Sequence, residues 1–229
     1  MNIKPFKCVG SSFLLSILLV LSFSVEADAE IRYVALGDSY SIGTGVSSQE
    51  AWPNVLVKLL QADGLKIELV ANPSRNGWTT QNAQEWEIAV FREAKPTFAT
   101  LMIGVNDWLQ YSTAERFRAN FTDLLDDMLS ELPAKKILVV NIPDFSATPK
   151  GAVFTPGRNI AKGITKFNKI IAKVCRQKGI ALVDVYSVSQ QMRFDSALVA
   201  GDGLHPSAQG HHLFAQTIYP FAKKILETP

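Results

Sequence analysis

The sequence predicts an α/β fold in which a parallel sheet carries helices on both faces. Three observations predict it. Five short apolar runs recur along the chain, segments of helical period fill the gaps between them, and the residues able to do chemistry follow the ends of the runs. A strand buried on both faces is apolar throughout rather than alternating. Strands separated by helices are joined by crossovers, which makes them parallel. Sites in such sheets gather beyond the carboxyl ends of the strands.

The elements follow in order. The first strand is Ile31–Leu36 and the first helix Trp52–Gln61. A strand at Ile67–Ala71 leads to a helix at Thr80–Ala94, and a strand at Phe98–Ile103 leads to a helix at Ala114–Leu132. In that helix Phe117, Phe121, Leu124, Leu125, Met128 and Leu132 form one apolar face. Asp123, Asp126, Asp127 and Glu131 lie off it and read as a solvated face rather than a metal site. The strand Ile137–Ile142, the helix Asn159–Lys178, the strand Ile180–Val185 and the helix Ser207–Leu226 complete the series. No internal repeat, low-complexity tract or interdomain linker interrupts it, and the length of 229 residues suits one domain.

Ahead of the first strand, Lys4 and Lys7 precede a mostly apolar stretch from Val9 to Val25, followed by Ala27-Asp28-Ala29. This is the pattern of an export signal, residues 1–29, cleaved after Ala29 to leave a domain of residues 30–229. The apolar stretch is near the minimum spanning length, so an uncleaved anchor is the competing reading. Cys8 precedes the apolar core and is badly placed to become a lipid-modified N-terminus. Cleavage would leave Cys175 as the sole cysteine, so no internal disulfide is expected. Cys175 falls with Ile171 and Val174 on a helical apolar pattern and reads as a buried, inert thiol. The net charge of +2, without a Lys/Arg stripe, argues against nucleic acid as a partner.

Ser39, in Gly37-Asp38-Ser39-Tyr40-Ser41, stands at the mouth of the first strand. It is not in a G-x-S-x-G elbow, since position 41 is serine. His205 lies in Asp202-Gly203-Leu204-His205-Pro206, where the proline disfavours helix and keeps the histidine in a loop. Asp202 is placed to accept the Nδ1 proton and leave Nε2 free to take a proton from Ser39, or else merely to cap the turn at Gly203. Asn106, in Gly104-Val105-Asn106-Asp107, offers a side-chain amide after the third strand, and Gly77 offers an unobstructed backbone N–H. With the Ser39 N–H these are candidate donors to a developing oxyanion. Asp38 reads as a hydrogen-bonding residue that shapes the turn. His211 and His212 are adjacent on one helical pattern and read as packing or surface residues. They lack the spacing of four that a two-histidine zinc helix needs. No Cys/His spacing for zinc and no phosphate-binding glycine motif occurs, so neither a metal, a nucleotide nor any other cofactor is expected.

These blocks together resemble the SGNH hydrolases of the GDSL esterase/lipase type. Gly37-Asp38-Ser39, Gly77, Gly104-Val105-Asn106-Asp107 and Asp202-Gly203-Leu204-His205-Pro206-Ser207 match the family's signature blocks, in order, across residues 30–229. Tyr40 departs from the leucine of the family's name. The resemblance implies a three-layer α/β/α sandwich, flavodoxin-like, with a five-stranded parallel sheet in the order 2-1-3-4-5. It implies metal-free hydrolysis of carboxylic esters or thioesters through an acyl-enzyme. It assigns Ser39 as nucleophile, His205 as base, Asp202 as its orienter, and Ser39, Gly77 and Asn106 as the oxyanion hole. The expected partner is a small-molecule ester, with no nucleic acid, no membrane span after cleavage and a monomeric state, in the periplasm or outside the cell.

Trp78, Trp108 and Phe145 are the expected substrate contacts, with Leu109, Tyr111 and Phe154 also near the predicted mouth. An aromatic and aliphatic rim favours acyl, lipid-like or aryl esters. Aromatics also stack on sugars, so a carbohydrate O-acetylesterase is the alternative. A catalytically inactive binding module is disfavoured because the whole residue set is present.

Overall fold

The computed structural model describes Met1 and residues 30–228. The expected export segment, apart from Met1, lies outside the described residues, as does Cys8. Five strands form one parallel sheet: β1 (Ile31–Gly37), β2 (Ile67–Ala71), β3 (Phe98–Met102), β4 (Ile137–Val140) and β5 (Ala181–Val183). Their order is β2-β1-β3-β4-β5, and every neighbouring pair is parallel. β3 and β4 are buried along their whole length, the reason they read as continuous apolar runs.

Helices cover both faces, giving three layers. The Trp52–Ala62 helix packs against the Ala208–Glu227 helix. The Ala114–Glu131 helix packs against Ile160–Lys178 and Ile88–Ala94. Phe117 stacks on Phe167 between two of these helices, ring centroids 4.2 Å apart. Thr113 and Asn159 cap the two long helices, each side chain accepting from the backbone N–H three residues on. Cys175 is buried, and burial pushes its thiol up to about 12. The acidic face expected on Ala114–Glu131 meets cations: Arg92 pairs with Asp127 and Glu131, each at 3.0 Å, and Lys178 pairs with Asp126.

The expected helix Thr80–Ala94 is not one helix. It runs Thr80–Asn82, then a π-helical turn Ala83–Glu87, then Ile88–Ala94, with the Ile88 N–H reaching back to the Ala83 carbonyl. The last helix carries Pro220 in its interior and buries His211. His212, its neighbour, is exposed.

The strand order sets the place of the site. The chain leaves β1 towards β2 on one side and resumes at β3 on the other. The crevice beyond the carboxyl ends of β1 and β3 is therefore the switch point, where open α/β sheets bind ligands. Ser39 follows β1 and Asn106 follows β3.

Candidate active site

Ser39 opens a one-turn helix, Ser39–Ile42, directly after β1. Asp38 is its N-cap, with Oδ1 accepting the Tyr40 N–H at 3.0 Å. Ser39 is the first residue of that helix, so its own N–H has no intrahelical acceptor. The turn needs glycine at position 37, since a Cβ there would lie 2.3 Å from both the Met102 carbonyl oxygen and Ser41 Oγ. Asp38 is buried, and burial pushes its carboxyl up to about 7 against the pull of the Tyr40 N–H, with the Asp107 charge adding to the rise.

Asp202 and His205 sit on a loop fastened at its base. Val199 bridges Pro206, the Ala200 N–H donates to the His205 carbonyl at 2.8 Å, and the Ser207 N–H donates to the Leu198 carbonyl at 2.9 Å. The Lys150 N–H holds the tip through the Gly203 carbonyl at 2.9 Å. Asp202 Oδ1 accepts the backbone N–H groups of Leu204 and His205, at 2.8 and 3.0 Å. Its Oδ2 lies 2.6 Å from His205 Nδ1. Partial burial would raise the Asp202 carboxyl, but the His205 ring and those two N–H groups outweigh it and hold it below the usual carboxylate range. A carboxylate on Nδ1 selects the tautomer whose Nε2 carries the lone pair. Asp202 thus contacts both the backbone of its turn and the His205 ring.

Asn106 lies on the helix Val105–Leu109. Its Nδ2 donates to the Trp78 carbonyl at 2.9 Å and lies 3.4 Å from Asp38 Oδ2. One turn on, Gln110 Nε2 donates to the Gly77 carbonyl at 2.9 Å. The helix and the residue that ends it therefore grip the Gly77–Trp78 segment at two successive carbonyls. Gly77 itself adopts φ +79°, a conformation that favours glycine. Asp107, also buried, accepts the Thr80 N–H at 2.9 Å and the Thr80 hydroxyl at 2.5 Å. Burial raises its carboxyl, with both Thr80 bonds opposing.

Ser39, Tyr40, Gly77, Asn106 and His205 line one cavity of about 210 Å³. Its apolar walls include Val105, Leu109, Phe145, Phe154 and Leu204. The Tyr40 ring packs on His205 with centroids 5.5 Å apart, so the residue that departs from the family's leucine becomes part of the wall. A second cavity of about 400 Å³ adjoins the first, sharing Asn106, Leu109 and Phe154 and adding Gln110, Tyr111, Thr155 and Pro156.

Two of the expected substrate contacts lie elsewhere. Trp108 is 7% exposed, with the Arg158 guanidinium 3.6 Å above its ring and the edge of Phe145 against it. It is packing behind the site rather than a wall of it. Trp78 turns its ring into a groove with Arg75, Trp86 and Val90. It serves the site through its carbonyl, which anchors Asn106. Phe145 does line the cavity. Gln110 went unread in the sequence, although its i, i+4 spacing from Asn106 placed it on the same helix face.

The family model for the GDSL-like lipase/acylhydrolase family matches residues 35–213. The chain belongs to that family. The match spans Ser39, Gly77, Asn106, Asp202 and His205, and the protein is an ester hydrolase of this type. The chain is 23% identical over 215 residues to Esterase TesA of Pseudomonas aeruginosa, covering 94% of this chain and 99% of the relative. In fold it is similar to the psychrotrophic esterase EstA from Pseudoalteromonas sp. (TM-score 0.68, 21% identity, 87% of this chain and 100% of that one). It is equally similar in fold to a Clostridium thermocellum family 3 carbohydrate esterase (TM-score 0.69, 20% identity, 86% and 98%). No helix among the described residues is long and apolar enough to cross a membrane.

Proposed function

We propose that the protein is a serine esterase that acts on short-to-medium acyl or aryl esters through an acyl-enzyme. Ser39 Oγ attacks the substrate carbonyl, and His205 Nε2 takes its proton. The Asp202 carboxylate steadies the imidazolium through Nδ1. The negative charge that grows on the carbonyl oxygen meets the N–H groups of Ser39 and Gly77 and the Asn106 amide. His205 then returns the proton to the leaving alcohol, and a water activated by the same nitrogen releases the acid.

The observation that carries this reading is the Asp202–His205 contact of 2.6 Å, held by a ring that lines the same cavity as Ser39, Gly77 and Asn106. The apolar walls support an acyl or aryl group as the occupant. The cavity at Ser39, about 210 Å³, suits a short acyl group by itself, whereas a long chain would have to run on into the adjoining cavity at Tyr111, Thr155 and Pro156. A panel of p-nitrophenyl esters from acetyl to palmitoyl, run beside acetylated xylan, tests the assignment. The expected result is kcat/KM that peaks at butyryl to octanoyl and falls for palmitoyl. Turnover confined to the acetylated sugar would transfer the assignment to carbohydrate O-acetylesterases.

The same proposal includes export. Lys4, Lys7, the apolar stretch and Ala27-Asp28-Ala29 support removal of residues 1–29, which would leave a mature chain acting outside the cytoplasm.

A further inference from the structure

Glu87 has no part in the chemistry described above, yet it is buried completely and lies beside the nucleophile turn. Its Oε2 accepts the Gly37 N–H at 2.9 Å, two residues before Ser39. Its Oε1 has no hydrogen-bond partner among the described residues. The bond replaces one the sheet has stopped supplying. The register of β1 with β2 ends at Val34 opposite Ala71, so nothing from β2 reaches the last turn of β1. Met102 of β3 stands opposite Gly37 on the other edge. A buried backbone N–H left without an acceptor is costly, and a loose one would let the strand end shift.

The route by which Glu87 arrives is also unusual. It closes the π-helical turn Ala83–Glu87 that interrupts the helix. Such one-turn widenings inside helices are frequent at functional sites. A carboxyl is a poor choice for a buried acceptor unless it stays neutral, and among the described residues no cation pairs with this one. The acidic groups nearby are Asp38 at the end of β1 and, beyond it, Asp107 on the helix after β3. On the same π-turn Gln84 donates outward to Asp127, which Arg92 neutralises. Burial first, then the Asp38 charge, push the Glu87 carboxyl up to about 8, against the Gly37 N–H.

We infer that Glu87 is a positioning residue for the esterase reaction, a buried acceptor that fixes the Gly37 N–H and so the placement of Ser39. The inference rests on the reading of Ser39 as nucleophile. A neutral amide reproduces a protonated carboxyl in size and keeps an acceptor oxygen, whereas leucine keeps the bulk and removes it. Glu87→Gln is expected to keep wild-type kcat. Glu87→Leu is expected to lower kcat by roughly tenfold to a hundredfold, the scale of a misplaced nucleophile, with KM within about twofold. Active-site titration with a fluorophosphonate corrects each kcat for the folded fraction. Exchange of the Gly37 amide, slow in wild type and Glu87→Gln, should be fast in the leucine variant.

If Glu87→Leu does not fold, Glu87→Met removes the oxygen with a side chain that adapts to the same space, and the same outcomes apply. Loss of kcat in Glu87→Gln equal to that in the apolar variant would overturn the inference. So would wild-type kcat per titrated site in the apolar variant. Failure of the reading of Ser39 as nucleophile is separate, because it would appear as turnover that survives in Ser39→Ala whatever occupies position 87.

Discussion

Asn106 does two jobs with one amide. It reaches the cavity where the oxyanion would form, and it ties the Gly77–Trp78 segment to the helix after β3. Asn106→Ala removes both, so kcat should fall roughly a hundredfold or more with a smaller change in KM, since the donor acts mainly on the transition state. Gln110→Ala removes only the grip on the Gly77 carbonyl and should cost less than tenfold, an order-of-magnitude expectation for a group one bond removed from the reacting atoms. Steady-state kinetics on one p-nitrophenyl ester compares the two. A change confined to KM in Asn106→Ala would remove that residue from the oxyanion hole.

Among the elements, the join between the Trp52–Ala62 and Ala208–Glu227 helices has its own pH dependence. His211 Nδ1 accepts the Trp52 N–H at 3.3 Å, and its Nε2 is buried with no partner among the described residues. Burial chiefly, with the His205 charge adding, lowers the ring to about 4. A histidine held neutral in the fold stabilises fully above its unfolded value, and that contribution is lost as the pH falls through about 4. His211→Asn keeps an acceptor near the Nδ1 position. The stability gap between variant and wild type should therefore move in the variant's favour by on the order of 2 kcal/mol between neutral pH and pH 4. Urea midpoints at the two pH values measure it, and a gap that does not change with pH would contradict the neutral, buried ring.

The elements also mark where the sequence could be read and where it could not. β1, β3 and β4 were legible because burial on both faces makes a strand continuously apolar. That Ser39, Asn106 and the Asp202–His205 loop would meet was legible from their places after strand ends and before a proline. The π-helical turn was not, because no residue type marks the place where an i→i+5 bond, such as that from the Ile88 N–H to the Ala83 carbonyl, replaces an α-helical one. Trp78 and Trp108 were misplaced for a related reason. Position after a strand end says that a residue is near the site, whereas the direction of its side chain depends on local turns such as the positive φ of Gly77. Arg158 holding Trp108 is a contact between residues fifty apart, which no local pattern records.

At the scale of the whole molecule, one parallel sheet brings four separate stretches of chain to a single crevice. The Ser39 turn follows β1, the Gly77 segment follows β2, the Asn106 helix follows β3, and the Asp202–His205 loop precedes the last helix. Each is tied in place by backbone or side-chain hydrogen bonds. Protein recovered from an exporting host should begin at Glu30 by intact mass, and a species retaining residues 1–29 would favour a membrane anchor instead.

The central claim is that Ser39 is the nucleophile activated by the Asp202–His205 pair, and covalent labelling tests it most directly. Wild-type protein treated with a fluorophosphonate should gain one adduct, and peptide mapping should place it on Ser39. His205→Ala should label far more slowly, and Ser39→Ala should neither label nor turn over ester. An adduct on another residue, or near-full turnover in Ser39→Ala, would contradict the account.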